Sequence, residues 1–82
     1  MNRRIVHVSL LVDDYDEAIE FYTKQLDFEL ISDEKLTETK RWVIVRPKGS
    51  GDCSILLARA DGDTQRSFVG NQTGGRVFLF MH

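Results

Sequence analysis

The sequence predicts an α+β fold in one small domain, with the element order β-α-β-β-β and one further strand at the end. Three observations lead to this prediction. Residues 5–12 alternate between two faces, as the side chains of a strand do. Residues 14–26 combine a helix-capping signal with apolar residues at steps of three and four. Four short apolar stretches follow, separated by turn-forming residues.

The first strand places an imidazole among aliphatic side chains. One face is uniformly aliphatic and is made by Val6, Val8, Leu10 and Val12. The other face carries His7 and Ser9, which need hydrogen-bond partners. His7 is therefore either a ligand residue on a face that lines a cavity, or a core histidine bonded to a backbone carbonyl. The strand pattern alone favours the second interpretation.

The helix is predicted from its first residues and from its apolar stripe. Asp14 is a good N-cap residue, and Glu17 stands three residues later, at the spacing of a capping box. The stripe consists of Tyr15, Ala18, Ile19, Tyr22 and Leu26, and Phe21 widens it. We interpret these aromatic residues as core and the neighbouring acidic residues as a solvated face.

Three strands are predicted after the helix, at residues 28–31, 41–46 and 53–59. In the second of these, Trp42 and Ile44 share one face, and Val43 and Val45 share the other. Pro47 ends that strand, and residues 48–52 form a flexible hairpin loop. In the strand that follows, Ser54, Leu56 and Ala58 share a face. Residues 61–75 are polar and predict a loop, and residues 76–82 predict a fifth strand.

Composition restricts the partners and the compartment. Eleven basic and thirteen acidic side chains give a net charge of −2, and nine of the acidic ones lie within residues 13–34. Such an acidic half argues against nucleic acid as a partner, because binding to phosphates needs a basic patch. The single Cys53 forms no internal disulfide and fits a reducing, cytoplasmic location. The sequence predicts no membrane span and no signal peptide.

Three features together resemble the vicinal oxygen chelate superfamily, which includes glyoxalase I, the bleomycin-resistance proteins and the extradiol dioxygenases. They are His7 in the first strand, the pair Phe21-Tyr22 in the helix, and the turn Leu26-Asp27-Phe28. Asp27 replaces the glycine that is usual at this turn, and aspartate tolerates a left-handed backbone better than most residues.

The resemblance extends from His7 to Met81 and implies how the domain is divided. Residues 1–60 would form a first βαβββ module of the glyoxalase, bleomycin-resistance and dioxygenase type. Residues 61–75 would be a loop, and residues 76–82 would be the first strand of an incomplete second module.

The resemblance also implies a divalent metal (Zn, Ni, Fe or Mn) in a cup between two modules. His7 matches the ligand histidine of the first strand. Leu56 and Arg76 stand where glyoxalase-like members have a glutamate and a second histidine as ligands. Because one imidazole alone does not hold a catalytic metal, the metal site is predicted to be altered.

A cup of this kind would be lined by residues from three strands. Besides His7 and Ser54, we expect Ser9, Leu56, Arg76, Phe78 and Phe80 to contact a ligand. Arg76 would either pair with an oxyanion of the ligand or be a surface charge at a strand edge. For Phe78 and Phe80, plain core packing is the favoured alternative. His82 lies on the same face at the chain end and carries little weight as a ligand.

Two classes of function follow from the resemblance. The first is a glyoxalase-related enzyme, of lyase or dioxygenase type, that acts on a small molecule with an altered divalent-metal site. The alternative is a metal-free protein that binds a small molecule of the antibiotic type, or a ligand-sensing module. Leu56 and Arg76 motivate this alternative, and His7 motivates the first.

The apolar fifth strand predicts a further partner for this domain. Ending the domain there would leave one edge and one face of the strand exposed, which invites association. Either the chain is part of a longer protein with a second module, which we favour, or a homodimer builds the missing half. The expected partners are thus a small-molecule ligand and a second copy of the chain.

Overall fold

A computed structural model describes residues 3–49, 53–76 and 78–79 of the chain. Its elements are β1 (His7–Val12), α1 (Tyr15–Glu20), a π-helical turn (Phe21–Gln25), β2 (Phe28–Lys35), β3 (Arg41–Pro47), β4 (Ser54–Arg59) and α2 (Gly62–Arg66). This order confirms the predicted α+β class and the βαβββ module. Within the described ranges, no helix has the length and apolar character that crossing a membrane requires.

The four strands form one mixed sheet in the order β1-β4-β3-β2. β1 pairs with β4 in parallel, with His7 opposite Ser54 and Ser9 opposite Leu56. β3 pairs antiparallel with both β4 and β2. The first strand thus joins the sheet beside the last one, and its other edge has no strand beside it within the described residues.

The hydrophobic core lies between the sheet and α1. Val43, Val45 and Leu57 are completely buried there, which confirms the predicted division of β3 and β4 into two faces. Tyr15 and Tyr22 bring the apolar stripe of the helix onto these strands. Phe21, which was expected to widen the stripe, is instead 51% exposed.

Local side-chain bonds fix both ends of the helical segment. The Asp14 carboxylate accepts a hydrogen bond from the Glu17 backbone N–H at 2.8 Å, so that α1 begins at the predicted cap. After Glu20 the helix widens into a π-helical turn. There the Thr23 hydroxyl donates to the Ile19 carbonyl at 2.8 Å, a bond that competes with the regular backbone ladder.

The turn between the helix and β2 uses a left-handed residue, as predicted. Asp27 has φ +58° and lies directly before β2. Its carboxylate accepts a bond from Lys48 Nζ at 2.8 Å, and this bond raises the pKa of the lysine. The turn therefore keeps the conformation that glycine ordinarily supplies.

Substitutions at Asp27 test this backbone requirement. Asp27→Gly and Asp27→Val both remove the ion pair with Lys48, so their difference isolates the backbone term. We expect the glycine variant to have a free energy of unfolding about 1–2 kcal/mol higher than the valine variant, because a β-branched residue is strained at positive φ. Urea unfolding measures the difference, and equal stabilities would contradict the requirement.

Arg41, the first residue of β3, joins three elements. Its Nε and Nη2 atoms donate to the two carboxylate oxygens of Asp33 in β2, at 3.0 and 2.6 Å. Its Nη1 donates to Asp16 of α1 at 3.0 Å, and its guanidinium lies 5.1 Å from the centre of the Tyr15 ring. The Tyr15 hydroxyl accepts a bond from the Arg41 backbone N–H. The bond to Asp33, above all, raises the pKa of the guanidinium.

Three predicted elements differ from the structure. β2 extends to Lys35 rather than ending at residue 31, because the polar residues at its end pair with the start of β3. The predicted loop at residues 61–75 contains the short helix α2. Arg76, Phe78 and Leu79 are not in a strand, and the remainder of the predicted fifth strand, with Phe80 and His82, lies outside the described residues. A strand needs a neighbour for its backbone bonds, and these three residues pair with no strand in the described part of the chain.

Candidate functional site

The sheet face turned away from α1 is the open face, and it is built by alternate residues of three strands. Strand register places His7 and Ser9 beside Ser54 and Leu56, and Leu56 beside Ile44. By alternation Trp42 shares this face with Ile44. The open face therefore brings together His7, Ser9, Ser54 and Leu56, all of which the sequence predicted to line one cup.

His7 and Trp42 form an aromatic pair across the open face. Their ring centroids are 6.0 Å apart and the planes meet at 81°, an edge-to-face arrangement. Because the two residues lie on β1 and β3, with β4 between them, the rings reach towards each other over β4. Ile44 on this face is only 3% exposed, whereas Trp42 is 38% exposed. The face is thus an apolar floor with two rings standing at its surface.

The placement of His7 distinguishes its two interpretations. The residue is exposed, and its imidazole makes no hydrogen bond with any other described residue. The interpretation as a buried core histidine bonded to a backbone carbonyl is therefore wrong. Ser9 is also exposed on this face, Leu56 is half-buried, and Ser54 is buried.

The donor groups around His7 do not fit a divalent metal. Among residues 3–49, 53–76 and 78–79, no group of three or more His, Cys, Asp or Glu side chains is close enough to hold an ion. The neighbours of His7 and Ser9 in register are Ser54 and Leu56, which bring no carboxylate or imidazole. A metal at His7 stays a prediction, and its further ligands would have to come from other residues.

Arg76 and Phe78 do not lie beside His7. Both line a cavity on the helix side of the sheet, together with residues of α1. Phe78 and Leu79 pack against the hydrophobic core, in agreement with the core-packing alternative for Phe78. The ligand roles predicted for Arg76 and Phe78 would thus concern a different part of the molecule, and the role predicted for Phe80 falls outside the described residues.

Trp42 lies on the open face, and the sequence did not indicate it as a functional residue. Its alternation with Val43 predicted its face correctly. The alternation within a strand does not show which strands pair with it. The contact between Trp42 and His7 could therefore be predicted only with knowledge of the strand order.

Comparisons with known proteins place the chain among related sequences. Residues 4–82 match the model of the Glyoxalase/Bleomycin resistance protein/Dioxygenase superfamily. An uncharacterized protein of Shewanella frigidimarina (strain NCIMB 400) is 55% identical over 83 residues, which cover 100% of this chain and 62% of that protein. The chain therefore spans less than two thirds of the length of this relative.

Two solved structures share the fold and are each more than 30% identical to this chain. UcmS2 is 34% identical with a TM-score of 0.72, over 83% of this chain and 54% of that one. A glyoxalase/bleomycin resistance protein from Streptomyces sp. CB03234 is 32% identical with a TM-score of 0.58, over 70% of this chain and 47% of that one. In both cases about half of the solved chain corresponds to the βαβββ module described above.

Proposed function

Because the chain belongs to the Glyoxalase/Bleomycin resistance protein/Dioxygenase superfamily, we propose that it binds an apolar or aromatic small molecule on its open face. The observation that carries this proposal is the edge-to-face pair of His7 and Trp42 over an apolar floor. An aromatic ligand gains contact area with both rings and with Leu56 below them.

Charge and polarity on the open face support a metal-free mode of binding. Ser9 is exposed beside Leu56 and can donate one hydrogen bond to orient the ligand. Arg46 shares the open face with Ile44 by alternation, and Glu29 lies opposite it in β2. The two form an ion pair at 3.2 Å, so the charge of Arg46 is already balanced. The ligand would thus be held by ring contacts and a hydroxyl, with no ion required.

Trp42 provides a direct test because it is the single tryptophan of the chain. We expect a neutral aromatic compound such as benzyl alcohol or benzamide to change Trp42 fluorescence saturably, with the same affinity in the presence of EDTA. His7→Ala should weaken binding about three- to tenfold, which is the typical worth of one aromatic contact. Phe68→Ala is the matched control, since Phe68 is an exposed aromatic residue outside the strands that form the open face.

Two results would contradict the binding proposal. One is the absence of any saturable fluorescence change across these compounds. The other is an equal loss of affinity in His7→Ala and Phe68→Ala, which would place the ligand elsewhere or indicate non-specific adsorption. Circular dichroism of both variants checks that the sheet is retained.

A metalloenzyme of glyoxalase or dioxygenase type is the second candidate function. It is favoured by one observation, the exposed imidazole of His7 without a hydrogen-bond partner among the described residues. Titration with Zn²⁺, Ni²⁺, Fe²⁺ and Mn²⁺ should then show stoichiometric binding that His7→Ala abolishes. The absence of such binding in the unsubstituted chain would count against this candidate and leave the metal-free proposal intact.

A further inference from the structure

A second concave site lies on the side of the sheet opposite to the open face. It is a cavity of about 610 Å³ between the end of β1, α1 and residues 69–76 and 78–79, a size typical of small-molecule sites. Leu10 and Val12 contribute to its wall, and both alternate with the residues of the open face. Leu11 completes the wall at the edge of β1, and His7 and Ser9 are not among the lining residues.

The outer wall of the cavity is fastened to the sheet by one side chain. The Leu11 backbone N–H donates to Gln72 Oε1 at 3.2 Å, and Gln72 Nε2 donates to the Leu11 carbonyl at 2.8 Å. The carboxamide thus occupies both backbone groups of Leu11 at an edge of β1 that has no neighbouring strand in the described residues. This pair of bonds holds the residues around Gln72 over the cavity before any ligand arrives, which lowers the ordering cost of binding.

The inner wall presents two aromatic rings, one of which has an unpartnered hydroxyl. Tyr22 is only 8% exposed, and its hydroxyl has no hydrogen-bond partner among the described residues. Burial raises the pKa of this phenol, so that it stays neutral. Phe21 meets Tyr22 edge-to-face with centroids 5.3 Å apart, and its 51% exposure leaves a ring surface available to a ligand.

The rim of the cavity is predominantly acidic. Asp13, Asp14 and Glu17 line it, and Arg76 is the basic residue among the described lining residues. Asp14 is already used as the helix cap. Asp13 and Glu17 make no ion pair with any residue in the described ranges. Their charges remain exposed to an incoming ligand and favour a cation.

We propose that this cavity binds an organic cation with an apolar ring, whose ring contacts Phe21 and Tyr22 and whose ammonium group faces Asp13 and Glu17. The aromatic faces add attraction for the cation. The neutral Tyr22 hydroxyl accepts a bond from the ammonium group. This site is independent of the function proposed for the open face.

Matched probes test the requirement for charge. Naphthylmethylammonium and its neutral counterpart naphthalenemethanol differ in the ammonium group alone, and calorimetric titration of the chain gives both affinities. We expect Glu17→Gln to weaken binding of the cation about threefold and to leave the neutral compound unaffected, since a partly exposed charge pair contributes only a modest attraction. Glu20→Gln removes the same charge from the same helix outside the cavity and should change neither affinity.

Three further variants test which charge the site prefers and where the cation binds. Arg76→Gln should tighten binding of the cation, because it removes the opposing charge from the rim. Phe21→Ala should weaken it, whereas His7→Ala should leave it unchanged. Equal affinity for the cation and the neutral compound, no effect of Glu17→Gln, or loss of binding in His7→Ala would each overturn the proposal. The last result would place the cation on the open face instead.

Discussion

Replacing Leu57 with alanine is expected to lower the free energy of unfolding by about 3 kcal/mol. Leu57 is completely buried in β4 and is the largest of the completely buried side chains in the described residues. It lies opposite Val43 in β3 and Leu10 in β1, so the sheet cannot close over the space that the substitution leaves. The cost combines lost burial with an unfilled cavity.

The matched control for this substitution is Leu36→Ala. Leu36 is 59% exposed and lies between β2 and β3, so its truncation should change stability by less than about 0.5 kcal/mol. Urea unfolding followed by Trp42 fluorescence and by circular dichroism measures both variants. A loss below about 1 kcal/mol in Leu57→Ala, with an unchanged slope, would contradict the placement of Leu57 at the centre of the core.

Replacing Arg41 with methionine is the second substitution with a large expected effect, a loss of about 2 kcal/mol. Methionine keeps much of the apolar stem but removes the two bonds to Asp33 and the bond to Asp16. The side chains of Arg41 and Asp33 are only 25% and 31% exposed, so this pair is less screened than an ordinary surface ion pair. The carboxylate of Asp33 would be left partly buried and unpaired.

Two milder variants show which partner of Arg41 matters. Arg41→Lys keeps the charge but not the two-pronged geometry, so it should lose about half as much stability as Arg41→Met. Asp16→Asn should cost less than about 0.5 kcal/mol, because the Asp16 side chain is 80% exposed. If Asp16→Asn is as harmful as Arg41→Met in chemical unfolding, the assignment of the main contribution to Asp33 is wrong.

Elements with local signals were predictable from the sequence. The Asp14 cap depends on residues three positions apart, and the left-handed turn depends on Asp27 alone. The faces of β3 and β4 follow from alternation, which Val43 and Leu57 confirm by their complete burial. Each of these features is decided within a few residues of the chain.

Elements that depend on a distant partner were not predictable in the same way. The apolar alternation at residues 76–82 predicted a strand, but Phe78 and Leu79 contact the core and pair with none of the described strands. The polar end of β2 gave no strand signal, because its stability comes from pairing with β3. Helix α2 has no buried residue and therefore no apolar stripe to reveal it.

The residues of the candidate site also differ in how far local sequence patterns could predict their positions. His7, Ser9 and Leu56 share a face in the structure. Strand alternation and the family resemblance had both predicted this. Arg76 was assigned to that face from the resemblance to the family, and in the structure it lines the cavity beside α1. Trp42 reaches His7 only through the order of the strands, which no local pattern encodes.

The parallel pairing of β1 with β4 has a consequence for how the molecule is made. His7 meets Ser54, a partner 47 positions further along the chain, whereas β2 and β3 are joined by a short turn. A hairpin of neighbouring segments closes quickly. A contact between residues far apart in the sequence forms more slowly, because closing the longer loop costs more entropy. During synthesis, β1 leaves the ribosome before the other described strands, and its pairing in the sheet has to wait until β4 has been made.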